Sequence, residues 1–117
     1  MKFPALVFAL CVAASLAPAQ TVLRDLRYVE PGHERHVLDV HAPAGAKNLP
    51  VVFWIHGGGW QAGDKGGVQI KPQVFMEKGF VFVSINHRLL PTVEMAEIIG
   101  DVAKAFRWMH ANIARHG

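Results

Sequence analysis

Val51-Val-Phe-Trp-Ile-His-Gly-Gly-Gly-Trp60, continuing through Gly63-Asp64-Lys65, is the stretch around which the rest of the 117-residue chain is organised. Val51 to Ile55 is an unbroken apolar run of strand length, the pattern of a strand buried on both faces of a sheet. It stops at His56 and three consecutive glycines. Glycine runs cost backbone entropy, so they occur where the chain must turn tightly or bring bare N–H groups up to a ligand. A buried strand ending in exposed backbone donors marks the start of an anion site. The residues around it decide which anion.

Upstream, Thr21 to Glu30 (TVLRDLRYVE) alternates loosely and ends at Pro31-Gly32, a strand followed by a turn. His36 to His41 (HVLDVH) places Val37, Asp39 and His41 on one side and His36, Leu38 and Val40 on the other, a second strand closed by Pro43 and Gly45. The short turn between them predicts an antiparallel pair, and Pro50 opens the third strand. Downstream, Pro72 falls near the start of a short helix containing Val74, Phe75 and Lys78, with Gly79 in a C-cap position. Phe80 to Ile85 (FVFVSI) is a further apolar strand, broken by Asn86-His87-Arg88-Leu89-Leu90-Pro91. In the last segment Ile98, Val102, Ala105, Phe106, Met109 and Ile113 recur at helical spacing, Asp101, Lys104, Arg107 and Arg115 take the polar side, and Gly117 falls where a cap would be. The order β-β-β-α-β-α predicts an α/β domain over residues 20–117, with a mainly parallel sheet, an antiparallel N-terminal pair and helices on both faces. A right-handed crossover after the last helix would deliver another strand, so the expectation is of an incomplete domain.

The composition, 51% hydrophobic and 18% charged, is globular, and the net charge of +3 is spread without a basic stripe, which argues against a nucleic-acid partner. Residues 1–19 read as a signal peptide: Lys2 supplies the positive start, Leu6 to Leu16 the apolar centre, and Ala17-Pro18-Ala19 a cleavage site after Ala19. The apolar run is too short for a stable membrane span, so the mature chain is expected outside the cytoplasm, secreted or periplasmic. Cys11 is the only cysteine and leaves with the signal, and Leu10 before it is too bulky for a lipoprotein anchor. No disulfide or thiol chemistry is then expected.

Three anions compete for the glycine loop. Gly57-x-Gly59-x-x-Ala62 fits the dinucleotide fingerprint, but that motif needs a helix starting within it, and Gly63, Asp64, Gly66 and Gly67 forbid one. The next strand also ends in Asn86-His87-Arg88, without an acid for a ribose. A phosphate-binding P-loop would need Gly-Lys-Ser/Thr, whereas Gly63-Asp64-Lys65-Gly66 puts an acid where phosphate would sit. His-Gly-Gly-Gly after a third strand is the oxyanion-hole motif of α/β-hydrolase esterases and lipases, whose backbone N–H groups stabilise the charge that acyl transfer develops on a carbonyl oxygen.

Leu38-Asp39-Val40, Pro50 to Trp60, Gly63-Asp64-Lys65, Ser84-Ile-Asn-His-Arg-Leu89 and Asp101-Val102 recur in the order found in carboxylesterase-like α/β-hydrolases. The chain resembles the HGGGW branch that includes the hormone-sensitive-lipase-like and kynurenine-formamidase-like enzymes, from about residue 26 onward. That resemblance implies that the N–H groups of Gly58 and Gly59 point into the oxyanion hole while Gly57 makes room for the turn. It implies that His56 supports the loop by hydrogen bonding rather than acting as a base, since the family's catalytic histidine comes last in the chain. Trp60 would either line the substrate pocket or pack the loop against the sheet. Asp64 would pin the loop through backbone N–H groups, and Arg88 and Asp101 would form a buried ion pair, with a substrate contact by Arg88 as the alternative. His87 stands where the family more often has tyrosine; its flat ring suits the same packing. His33, His36, His41, His110 and His116 make no zinc pattern, and His33-x-x-His36 is expected on the exposed surface.

A serine esterase of this kind also needs a G-x-S-x-G nucleophile, then an acid and a base. None is found: Ser15 lies in the signal, and Ser84 lies within a strand without flanking glycines. The expected protein is therefore the N-terminal part of a secreted serine ester hydrolase acting on a small ester or amide. It would need no metal or cofactor, and its Ser-Asp-His triad would lie beyond Gly117. The alternative is a non-catalytic secreted binding module that kept the sheet as a scaffold.

Overall fold

The structure, a computed structural model, describes residues 20–115. The signal peptide reading of residues 1–19, Cys11 within it, and the readings of His116 and Gly117 lie outside the described residues. The elements are β1 (Gln20–Arg27), β2 (Val37–Pro43), β3 (Val51–Ile55), α1 (Lys71–Glu77), β4 (Val81–Ile85) and α2 (Met95–Asn112), ending in a 3₁₀ turn, Ile113–Arg115. They appear in the order expected from the sequence, with some ends shifted by a few residues.

The four strands lie side by side as β1-β2-β4-β3. β4 returns through α1 and inserts between β2 and β3, parallel to β3 and antiparallel to β2. The expected mainly parallel sheet is thus corrected: among the described residues it is mixed, with the β1–β2 and β2–β4 pairs antiparallel and β3–β4 parallel. Strand pattern reports which faces are buried; it does not report which strand becomes the neighbour.

Alternation then sorts the side chains. Leu38, Val40, Ala42, Val81, Val83 and Ile85 form the core on one face, closed by Ala105 and Met109 of α2. On the opposite face Phe82 stacks against Trp54 and Phe75 and meets His41 edge-on. β3, expected to be buried on both faces, is half-buried throughout, and among the described residues β4 is its one strand neighbour.

α2 starts with a reciprocal capping box between Glu94 and Glu97, which satisfies backbone donors that a helix start leaves open. Its buried stripe is Ile98, Asp101, Ala105 and Met109. Asp101, placed on the polar side by its spacing and in a buried pair with Arg88 by the resemblance, is fully buried, and Phe106, placed on the apolar side, is 48% exposed. The spacing was right, and the stripe is rotated so that a charge faces inward. A charge can do that only with partners, and they come from the candidate site.

Candidate functional site

The carboxyl ends of β3 and β4 open into two loops, Gly57 to Gly67 and Asn86 to Leu90. Gly58, Gly59 and Trp60 have φ of 128°, 62° and 65°. A turn in this left-handed region is accessible mainly to glycine. It closes when the N–H groups of Gln61 and Ala62 donate to the Gly58 carbonyl at 3.1 and 3.2 Å, and the Leu90 N–H donates to Trp60 O at 2.8 Å. A side chain at Gly58 would run into the Ala62 carbonyl, whereas one at Gly59 would meet nothing within 4 Å. The N–H groups of Gly58 and Gly59 have no acceptor among the described residues. Both glycines are exposed.

His56 is buried at the start of the loop. Its Nδ1 donates to Gly57 O at 2.8 Å, and its ring stacks on His87 at 4.7 Å and 19°. His87 is itself fully buried; its Nδ1 donates to Arg88 O at 2.7 Å, and Trp60 leans on it at 5.2 Å. Burial pushes the His87 imidazole below its ordinary range, with the Arg88 carbonyl opposing. Trp60 packs on His87, and with Phe53, Ile55, Ile99, Val102 and Phe106 it lines an apolar groove of about 510 Å³.

Asp64 accepts from Gly66 N–H at 2.7 Å and from the Asn86 amide at 3.0 Å. Burial alone would raise its pKa, but those two bonds and the charges of Lys65 and Arg35 bring it below the ordinary value. Lys65 is buried with its ammonium between Asp25 and Asp39, at 2.8 and 2.9 Å. Here too burial alone would lower the pKa, and the two carboxylates raise it instead. The Lys65 carbonyl accepts from the Ser84 hydroxyl and its N–H donates to Asn86 Oδ1, both at 2.8 Å. Lys65 thereby ties this loop to β1, β2 and β4.

Arg88 donates from its backbone N–H and from Nε to Asp101 Oδ2, both at 3.0 Å, and from a terminal nitrogen to Oδ1 at 2.9 Å. The Asp101 Oδ1 also meets His36 Nε2 at 2.9 Å. Burial by itself pushes the Asp101 carboxyl up; the Arg88 and His36 bonds outweigh it and hold the group below its ordinary value. His36, expected on the surface, is buried, because it is this carboxylate's second partner. His41 is buried as well, while His33 and His110 are exposed. Among the described residues no group of three His, Cys, Asp or Glu could hold a metal ion, and no helix is long and apolar enough to cross a membrane.

Sequence reasoning missed Arg35, the turn residue whose guanidinium reaches Gly63, Asn86, His87 and the His56 ring. It also missed the acids that clamp Lys65. One weak signal existed: a lone lysine in a glycine loop whose neighbour strand carries an acid in an otherwise apolar run, Leu38-Asp39-Val40.

Comparison with known proteins gives a consistent set of likenesses. Residues 38–117 match the family model described as BD-FAE. The probable carboxylic ester hydrolase LipM of Mycobacterium tuberculosis is 34% identical over 102 residues, covering 80% of this chain and 22% of that protein. Among solved structures, esterase B from Lactobacillus rhamnosis superimposes with a TM-score of 0.76 at 25% identity, covering 95% of this chain and 37% of the esterase. The same esterase inhibited by a C4-C4 SN3 tributyrin phosphonate superimposes with a TM-score of 0.70 at 26% identity over 88% of this chain and 37% of that one. The chain thus spans about a fifth of LipM and just over a third of esterase B.

Proposed function

The chain belongs to the BD-FAE family, whose esterase and lipase relatives make it an esterase-type α/β-hydrolase sequence, and from that membership we propose that it forms the oxyanion-hole portion of a secreted serine ester hydrolase. The observation that carries the proposal is the pair of Gly58 and Gly59 N–H groups. They lack an acceptor among the described residues, in a loop that Lys65 ties to Asp25, Asp39 and Ser84 of three strands. Donors fixed in place before the reaction stabilise a developing oxyanion without reorganising, and losing one costs roughly 10²–10³ in rate.

His56 and Asp64 hold the loop, Gly57 gives the turn room, and Arg88–Asp101 ties the post-β4 loop to α2 as a structural pair. The substrate is a small ester or amide; an ester is supported by the phosphonate inhibitor of the esterase B relative. Trp60 and the adjoining groove offer apolar surface on one side of the donors. The nucleophile, acid and base are supplied by residues other than these, since no G-x-S-x-G occurs in the 117 residues. Secretion follows from the signal-like residues 1–19.

A fluorophosphonate probe tests the division of labour: no labelling of the 117-residue chain is expected, and stoichiometric labelling would overturn it. For the loop, the coding sequence is read past codon 117 for a G-x-S-x-G segment. In the polypeptide that contains it, a Gly58 change that disorders the loop should lower kcat for p-nitrophenyl butyrate at least as much as loss of one donor. An unchanged kcat would sink the oxyanion assignment.

A further inference from the structure

We propose that Arg35 is the positioning residue of this loop: its guanidinium fixes His56 as the Nδ1–H tautomer and thereby holds Gly57 to Gly63 with the Gly58 and Gly59 donors free. The inference rests on the oxyanion reading of the loop, and it starts from a single side chain that joins three segments.

Arg35 lies in the β1–β2 turn, and its side chain is only 20% exposed. Its Nε donates to His87 O at 2.7 Å. One terminal nitrogen donates to Gly63 O at 2.9 Å and to Asn86 Oδ1 at 3.3 Å, and meets His56 Nε2 at 3.4 Å. The other stands 3.9 Å from Asp64. The guanidinium therefore touches the first residue of the loop, its far end at Gly63, and the strand exit that carries His87. A planar fork with five donors and no acceptor suits this task, and lysine could not make these contacts together.

The tautomer follows from what each neighbour can do. A guanidinium only donates, so the His56 nitrogen facing it must carry the lone pair. A carbonyl only accepts, so the nitrogen facing Gly57 O must carry the proton. Both edges demand Nδ1–H, the opposite of the Nε2–H form that a free imidazole favours in water. Without Arg35 the Nε2 edge no longer demands a lone pair, and what opposes the Nε2–H form is then only the lone pair it would leave on Nδ1 facing the Gly57 carbonyl across 2.8 Å. The ring would have to turn. It has no room to do so alone, because Gly63 packs directly against Nδ1 and Cε1, where a Cβ at that position would clash. Rotation of His56 therefore moves Gly57 and Gly63 together, and with them the donors between.

Long-range ¹H–¹⁵N correlation spectra of the labelled chain near pH 8, where unperturbed imidazoles are about 95% neutral or more, read this directly. Wild-type His56 is expected to show a protonated, pyrrole-type Nδ1 and a bare, pyridine-type Nε2. That spectrum is decisive without any variant: an Nε2–H form overturns the inference. In Arg35→Gln the balance is expected to move to a mixture dominated by Nε2–H, with the Gly58 and Gly59 amide resonances displaced. A folded Arg35→Gln chain with His56 unchanged overturns it equally, and if that variant fails to fold, Arg35→Lys, which keeps the charge without the planar fork, is read in its place with the same two outcomes. The oxyanion reading fails separately: titrated butyrate would leave the Gly58 and Gly59 amides unmoved while His56 still reports Nδ1–H.

Discussion

The loop end of the sheet and the outer flank of β3 adjoin at Ile55 and His56, yet they are built in opposite ways. At the loop end, Asp64, Lys65, Asn86, Arg88 and Asp101 each bond a residue from another segment, across 13 or more positions in most pairs. Along the flank, Phe53 and Phe106 meet edge to face at 5.4 Å while Ile99 is 62% exposed. One region is held by directed bonds with almost every partner present. The other is an apolar groove with one side open. Directed bonds specify a geometry, whereas partial apolar burial contributes energy without fixing atoms. A site whose donors must be aimed is better placed on the first kind of support.

The largest effect should come from the carboxylate that serves the most bonds. Asp101→Ala leaves Arg88 and His36 without their partner in a buried setting and should cost about 3–5 kcal/mol, read from urea midpoints. A loss under about 1 kcal/mol would mean that the bonded end is no stiffer than the flank. The same group predicts an acid limb. Its folded pKa lies below the ordinary 3.8, so its stabilisation is present above that value and lost as pH falls through the folded pKa. The urea midpoint should drop with acid more steeply in the wild type than in Asp101→Asn.

Next come two alanines one residue apart. Gly58→Ala drives a Cβ into the Ala62 carbonyl at a φ of 128°, and about 3 kcal/mol should be lost. Gly59→Ala meets nothing within 4 Å at a φ of 62°, leaving only the left-handed penalty of about 1 kcal/mol. Equal thermal shifts for the two would show that the turn is not packed as described. The smallest effect belongs to the flank: Ile99→Ser should change stability by no more than about 0.5 kcal/mol, read from urea midpoints. A larger destabilisation would mean the flank is tighter than its exposure suggests.

Much of this was legible in advance. The runs 51–55 and 80–85 became strands, the spacing from Ile98 to Met109 became a helix, and the glycines became a turn with positive φ. These are local signals, set by residues a few positions apart. His36 could not be placed from sequence, because its burial depends on Asp101, 65 residues away. Arg35 looked like an ordinary turn cation until β2, β4 and the loop brought Gly63, Asn86 and His87 to it.

The residue string by itself determined the element order, the glycine turn after β3 and the family to which that motif points. Those depend on backbone sterics and short-range periodicity. The tertiary structure alone decided that the sheet is mixed, that Asp101 takes His36 as a second partner beside Arg88, and that His56 is held between a carbonyl and a guanidinium. Those depend on which distant groups share a low-dielectric interior, where an unpaired charge is costly and each polar atom must find its partner.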